Sequence, residues 1–242
     1  MVRLKMNKFQ FLVVVLLISA PVFAQQKTVI NDPIAQVRNV KGFHAIKVSS
    51  AITLYLNQSD EEAVAVSARD AKYRDRIRTE VKDGVLKIWY DNEGWGWSDN
   101  KKLKAYVSVK TLDKLDASGA SDILVDGTIT TDKLDIGLSG ASDFKGVVKT
   151  AELNLNQSGA SDATISGVAG KVTIEASGAS DVKGYELVTD NCNAHASGAS
   201  DIKISVNKEL NAHASGASSI SYRGSAVIRE LHSNGASSVG KD

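Results

Sequence analysis

Ser158-Gly159-Ala160-Ser161-Asp162 follows Leu153-Asn154-Leu155-Asn156-Gln157 and precedes Ala163-Thr164-Ile165. The pentapeptide recurs at 118–122, 139–143, 177–181 and 197–201, and in degenerate form as Ser-Gly-Ala-Ser-Ser at 215–219 and Asn-Gly-Ala-Ser-Ser at 234–238. Its glycines are Gly119, Gly140, Gly159, Gly178, Gly198, Gly216 and Gly235, at steps of 21, 19, 19, 20, 18 and 19 residues. A fixed period near 20 residues marks a stacked repeat, in which each unit covers its neighbour and none folds alone.

Side-chain character alternates around each glycine. Two positions before it stand Ala117, Leu138, Gln157, Ala176, Ala196, Ala214 and Ser233, and four before it Leu115, Ile136, Leu155, Ile174, Ala194, Ala212 and Leu231. Beyond the motif come Ile123, Phe144, Ala163, Val182, Ile202, Ile220 and Val239. Period-2 alternation is what half-buried strands require, so these positions face inward. Each unit reads as a strand, the pentapeptide corner, a second short strand and a variable turn. Such a coil suits a flattened loop, and seven coils at about 4.8 Å give a rod of roughly 34 Å. The expected fold is all-β, a parallel β-helix or β-solenoid with 19–20 residues per coil. Glycine suits the corner because it reaches positive φ and lets backbones approach closely. The neighbouring serines are expected to hydrogen-bond one coil to the next.

Upstream, residues 42–110 lack the pentapeptide but carry alternating strands at 45–48, 52–56, 63–66, 85–90 and 103–109. Asp70 to Arg78 reads as one short helix and Lys82-Asp83-Gly84 as a turn. This segment is expected to pack on, or continue, the solenoid of residues 111–242, giving one structural domain after a lead-in at 25–41. Residues 1–24 read as a signal peptide, with Arg3, Lys5 and Lys8 before the apolar run 11–18 and Val22-Phe23-Ala24 as cleavage site. That run is shorter than the roughly 20 residues of a spanning helix. The expectation is export to the periplasm or outer cell surface, with no membrane span after signal removal.

Net charge is +1, with 29 basic residues scattered among 28 acidic ones, so the chain lacks the basic patch of a nucleic-acid binder. Cys192 is the single cysteine, which excludes an internal disulfide; its phase with Ala194 and Ala196 reads as buried packing.

The glycine-containing repeats, the strand-rich region opening Val40-Lys41-Gly42-Phe43 and the signal peptide together resemble the auto-transporter adhesin head, or GIN domain, family. The resemblance spans about Gly42 to Val239. Ser-Gly-Ala-Ser-Asp stands where family members carry Gly-Ser-Gly-Asp-like repeats, and Ala51-Ile52-Thr53 matches the eponymous Gly-Ile-Asn only loosely. The resemblance implies a right-handed parallel β-helix on an exported protein, commonly of Gram-negative bacteria.

Asp122, Asp143, Asp162, Asp181 and Asp201 are expected to stack into a carboxylate ladder. The preferred reading is a solvated turn in which each Asp caps nearby backbone N–H groups. A calcium ladder is the sharper alternative, since carboxylates about 4.8 Å apart repel unless cations intervene. His195, His213 and His232 sit three residues before successive glycines and face outward. They read as repeat drift on a wet face or as a transition-metal ladder, although zinc ligands stand about 3.3 Å apart, closer than the coil spacing. Trp95 and Trp97, in the polar loop 91–102, read either as a cover for the end of the solenoid or as a recognition surface for sugar rings or a protein partner.

Catalysis on a β-helix needs an irregular acid pair or an acid beside a fixed base, and here the acids recur as repeat grammar with no Arg or Lys fixed beside them. The expected function is therefore a non-enzymatic, adhesin-like or structural cell-envelope module that binds a surface glycan or protein and needs no cofactor. A polysaccharide lyase or hydrolase on the same scaffold and a periplasmic envelope-maintenance protein are the alternatives.

Overall fold

The computed structural model describes residues 32–92 and 100–242, so the proposed signal peptide lies outside the described residues. The chain runs through β1 (Gln36–Arg38), β2 (Ala45–Val48), β3 (Thr53–Gln58), β4 (Ala63–Ser67), α1 (Ala71–Arg74), β5 (Ile77–Lys82), β6 (Val85–Tyr90), β7 (Lys104–Val109) and β8 (Lys114–Ala117). Five long strands follow: β9 (Asp122–Leu138), β10 (Asp143–Gln157), β11 (Asp162–Ala176), β12 (Asp181–Ala196) and β13 (Asp201–Gly216). β14 (Ser219–Arg223), β15 (Val227–Gly235) and β16 (Ser238–Lys241) complete it. The long strands pair in parallel and in repeat register, Asp143 beside Asp162 and Leu155 beside Ile174. The architecture is a parallel β-solenoid of about seven turns.

Each long strand contains a corner. In β10, burial alternates regularly from Asp143 to Thr150, slips by one residue at Ala151–Glu152, and resumes through Gln157. That slip turns the chain while keeping apolar side chains inside. The inward Thr150 ties the corner down: its hydroxyl donates to the Glu152 carbonyl at 2.9 Å and to the Asp132 carbonyl of the preceding coil at 3.0 Å. The two short strands expected per unit are thus halves of one continuous strand. The predicted inward columns are buried throughout the middle of the rod, and one continuous core runs from Phe43 to Tyr222, across the boundary at 110.

Stacking does not follow chain order at the N-terminal end. β2 lies between β6 and β8, and β3 between β7 and β9, all in parallel. The coil made by β2 and β3 is therefore sandwiched between a later coil, β6 with β7, and the first pentapeptide coil. Its corner, Ser49-Ser50-Ala51-Ile52, does the pentapeptide's work without glycine: Ser50 and Ala51 take φ of 72° and 58°, and the Ala51 N–H donates to the Gly119 carbonyl at 2.9 Å. β4 and β1 then add antiparallel outside β7, and β5 antiparallel on β6. These strands occupy edges that would otherwise offer unpaired backbone groups.

The expected helix over 70–78 shrinks to α1. Ile77, 1% exposed, instead begins β5 and pairs with Tyr90. Asp83 and Gly84 adopt φ of 52° and 74°, the tight-hairpin geometry that folds β5 onto β6 and overrides local helix preference. At the other end nothing stacks on the last coil among the described residues, and Leu231, expected inside, is 46% exposed.

Candidate functional site

The pentapeptide forms one corner of every coil from Ser118 onward. Its fourth residue, the inward serine at 121, 142, 161, 180, 200 and 218, is at most 2% exposed. The hydroxyls of Ser142, Ser161, Ser180, Ser218 and Ser237 close the turn by donating to the carbonyl three residues earlier, at 2.8–3.0 Å. The outer serines reach the preceding coil, as in Ser177 Oγ to the Gln157 carbonyl at 3.1 Å. The expected serine ladder is present, but the turn is closed by serine and not by aspartate. Alternation is the reason: Ser points in, so the next residue must point out.

Asp122, Asp143, Asp162, Asp181 and Asp201 stand in register on the outer face, continued by Ser219 and Ser238. Burial, and then the neighbouring Asp143 carboxylate, raises the Asp122 carboxyl above its ordinary value of 3.8. Two positions on, Lys145, Lys183 and Lys203 form part of a parallel column on the same face, and Lys183 Nζ lies 3.3 Å from Asp162 Oδ2. The sequence-based expectation that no basic residue is fixed beside these acids is therefore corrected: the strand period brings i and i+2 to one face. Asp122 also accepts from Thr53 Oγ1 at 3.5 Å, and Asp201 from Ser219 Oγ at 2.5 Å.

The opposite strand half presents a different face. One column runs Lys47, Asp116, Gly137, Asn156, Glu175, His195, His213, His232. Beside it run Lys114, Asp135, Asn154, Thr173, Asn193, Asn211 and Glu230. Asn side chains lock successive coils, with Asn154 Nδ2 donating to Asp135 Oδ1 at 2.6 Å and Asn211 Nδ2 to Asn193 Oδ1 at 2.8 Å. Gly137 carries no side chain, and the Asp116 carboxylate leans over it, so a Cβ there would lie 2.6 Å from Asp116 Oδ1. Around it opens a groove of about 630 Å³, lined by the first column from Lys47 to His195 and by the outer serines 118, 139, 158, 177 and 197. A second hollow of about 410 Å³ continues it over Asp135, Asn154 and Thr173. Among the described residues none of the exposed large hydrophobic side chains (Val37, Tyr55, Val147, Val168, Val188, Val227 and Leu231) lies on this face. Sequence reading singled out the histidines and missed Asp116, Gly137, Asn156 and Glu175, although all share their place three residues before a corner glycine.

The histidines stack as expected, with ring centroids 4.7 Å apart for His195–His213 and for His213–His232. Among the described residues, three ligand atoms within 4.8 Å of one another occur at His213, Glu230 and His232, not along the Asp column. Trp95 and Trp97 lie outside the described residues. Cys192 is buried, and that burial pushes its thiol up to about 12, as inert packing requires.

A parallel solenoid whose surface is made of repeated polar columns defines a repeat-built, face-presenting module. The chain belongs to the family described as "Putative auto-transporter adhesin, head GIN domain", which matches residues 42–226. Among solved structures it is similar to a putative adhesin of Bacteroides fragilis, with 23% identity, TM-score 0.81, and coverage of 86% of this chain and 96% of that one. It is also similar to a putative lipid binding protein and a putative adhesin of Parabacteroides distasonis, at 20% and 21% identity and TM-scores of 0.68 and 0.67, each covering 86% of this chain and 96% of the other. These likenesses carry the fold. No curated protein matches the chain.

Proposed function

We propose that this protein is an exported, non-enzymatic adhesin-like module of the cell envelope that binds a hydroxyl-rich glycan along the groove centred on Gly137. The observation that carries the reading is the groove's lining of Asp116, Asn156, Glu175, His195 and outer serines. Carboxylates, amides and hydroxyls supply both donors and acceptors for sugar hydroxyls. A protein partner would call for aromatic or aliphatic anchors at the contact centre, and this face has none among its described residues. The columns also argue for a ligand that is itself repetitive, held by several weak contacts in line. Family membership supports the adhesin-like reading.

The test is binding of the chain to a glycan array, followed by titration of the best hits. Gly137→Gln, whose side chain must displace the Asp116 carboxylate and project into the groove, and Asn156→Ala should each weaken binding at least tenfold, with Lys203→Ala on the opposite face as control. Equal binding by all three variants would overturn the groove assignment, and shortening of the bound glycan would overturn the non-enzymatic reading.

A further inference from the structure

The last two coils carry a cluster that the repeat alone does not build. In the pairing of β13 with β15 the register shifts between Leu210 and Asn211, leaving Arg229 as an extra residue in β15. Beyond this bulge Glu230 pairs with Asn211, so it faces outward beside the histidine column. Without it Arg229 would hold that place. Arg229 is instead occupied by Glu209, with Nη2 2.7 Å from Oε1. The bulge thus exchanges a cation for a carboxylate next to His213 and His232.

His213 Nε2 lies 3.5 Å from Glu230 Oε2, and the coordinating atoms of His213, Glu230 and His232 all lie within 4.8 Å of one another. Ligands of a tetrahedral zinc ion, at bonds of about 2.0–2.2 Å, stand roughly 3.3–3.5 Å apart. The His213–Glu230 pair already matches that edge, and His232, whose ligand atom lies within 4.8 Å of both, needs only a small side-chain movement to complete it. It is free to do so: it is exposed, on the final coil, and its ring has turned 25° from that of His213, whereas His195 and His213 are within 9° of parallel.

We propose that His213, Glu230 and His232 form a surface site for a divalent transition-metal ion, with zinc the best match. Two imidazole nitrogens and one carboxylate oxygen select borderline ions such as Zn²⁺ over Ca²⁺ or Mg²⁺, which take oxygen ligands. Three protein ligands leave a coordination position open beside a small hollow lined by Ser197, Ser215 and Asn234. A bound ion there would accept a donor atom from whatever lies along the polar face. His195, parallel to His213 but outside the cluster, is not a ligand.

The experiment is calorimetric titration of the tag-free, chelator-treated chain with ZnCl₂, repeated for His213→Gln, Glu230→Gln, His232→Gln and His195→Gln. One ion per chain is expected, with affinity reduced at least tenfold by the first three changes and within twofold for the fourth. CaCl₂ at the same concentrations should give no binding. All four side chains are at the surface, so loss of binding with an unchanged melting temperature reports ligation and not unfolding. Absence of zinc binding up to 100 times the protein concentration would overturn the site. So would binding that survives the Glu230→Gln/His232→Gln double change, or that depends on His195.

Discussion

Replacing Gly159 with alanine separates two reasons for a corner glycine, because Gly127 supplies a matched control. Both take left-handed backbone, with φ of 82° and 81°. A Cβ on Gly127 meets nothing within 4 Å, whereas on Gly159 it would fall on the carbonyl oxygen of Gly140. That oxygen accepts the Ala160 N–H at 2.7 Å, so it cannot move aside without losing a coil-to-coil hydrogen bond. Left-handed geometry costs an alanine about 1–2 kcal/mol at either site. Losing the hydrogen bond adds about 0.5–1.5 kcal/mol at Gly159, and the forced backbone shift adds more. The expectation is about 1–2 kcal/mol for Gly127→Ala and about 3 kcal/mol or more for Gly159→Ala, of a total of about 5–15 kcal/mol. Urea unfolding with a common slope measures both. Equal midpoints would refute the argument that close approach of successive coils holds glycine at this corner.

Gln157 occupies an inward column otherwise filled by Ala and Leu in the central coils, and its Oε1 is buried without a hydrogen bond. Gln157→Leu removes that orphan together with the Nε2 hydrogen bonds to the Ser161 and Asp181 carbonyls, so stability should change by less than about 1 kcal/mol, read as a nearly unchanged melting temperature. Because the folded-state pKa of Asp122 is raised, first by burial and then by Asp143, its stabilising form is the neutral one. That contribution is full below the ordinary value of 3.8 and is lost as pH rises through the raised value; Asp122→Asn should therefore be more stable than the parent at pH 7, with the difference vanishing in acid. With lysines flanking the Asp column, millimolar Ca²⁺ and its chelation should leave the melting temperature unchanged, and a rise with Ca²⁺ would make the ladder a cation site. Protease treatment of intact cells should cut the chain if it lies on the outer surface; protection until the envelope is opened would move the search to periplasmic partners.

The solenoid was legible because the corner demands glycine and serine at a fixed interval, and because inward columns alternate strictly. What escaped has identifiable causes. Ser49 to Thr53 forms a corner with Ser50 at positive φ where glycine would advertise it, so the coil of β2 and β3 carries no repeat signature. β5 was hidden in a charged stretch whose helical look is overridden by a hairpin turn and by burial of Ile77. Ser and Asp are both turn formers, and only the inward phase of one decides which closes the loop. The polar groove depends on residues that differ from coil to coil, Asp116, Gly137, Asn156 and Glu175, and becomes visible once register stacks them. Glu230 joins the histidines through a bulge, which no fixed spacing encodes.

The interleaved N-terminal coil bears on how the chain assembles in time. β2 and β3 are made early, yet both of their parallel neighbours come later: β6 and β7 on one side, β8 and β9 on the other. Until about residue 125 is available these two strands have no complete lodging, and the coils beyond have no finished rung to grow on. The N-terminal end of the rod can therefore be completed only after about half of the chain has been made.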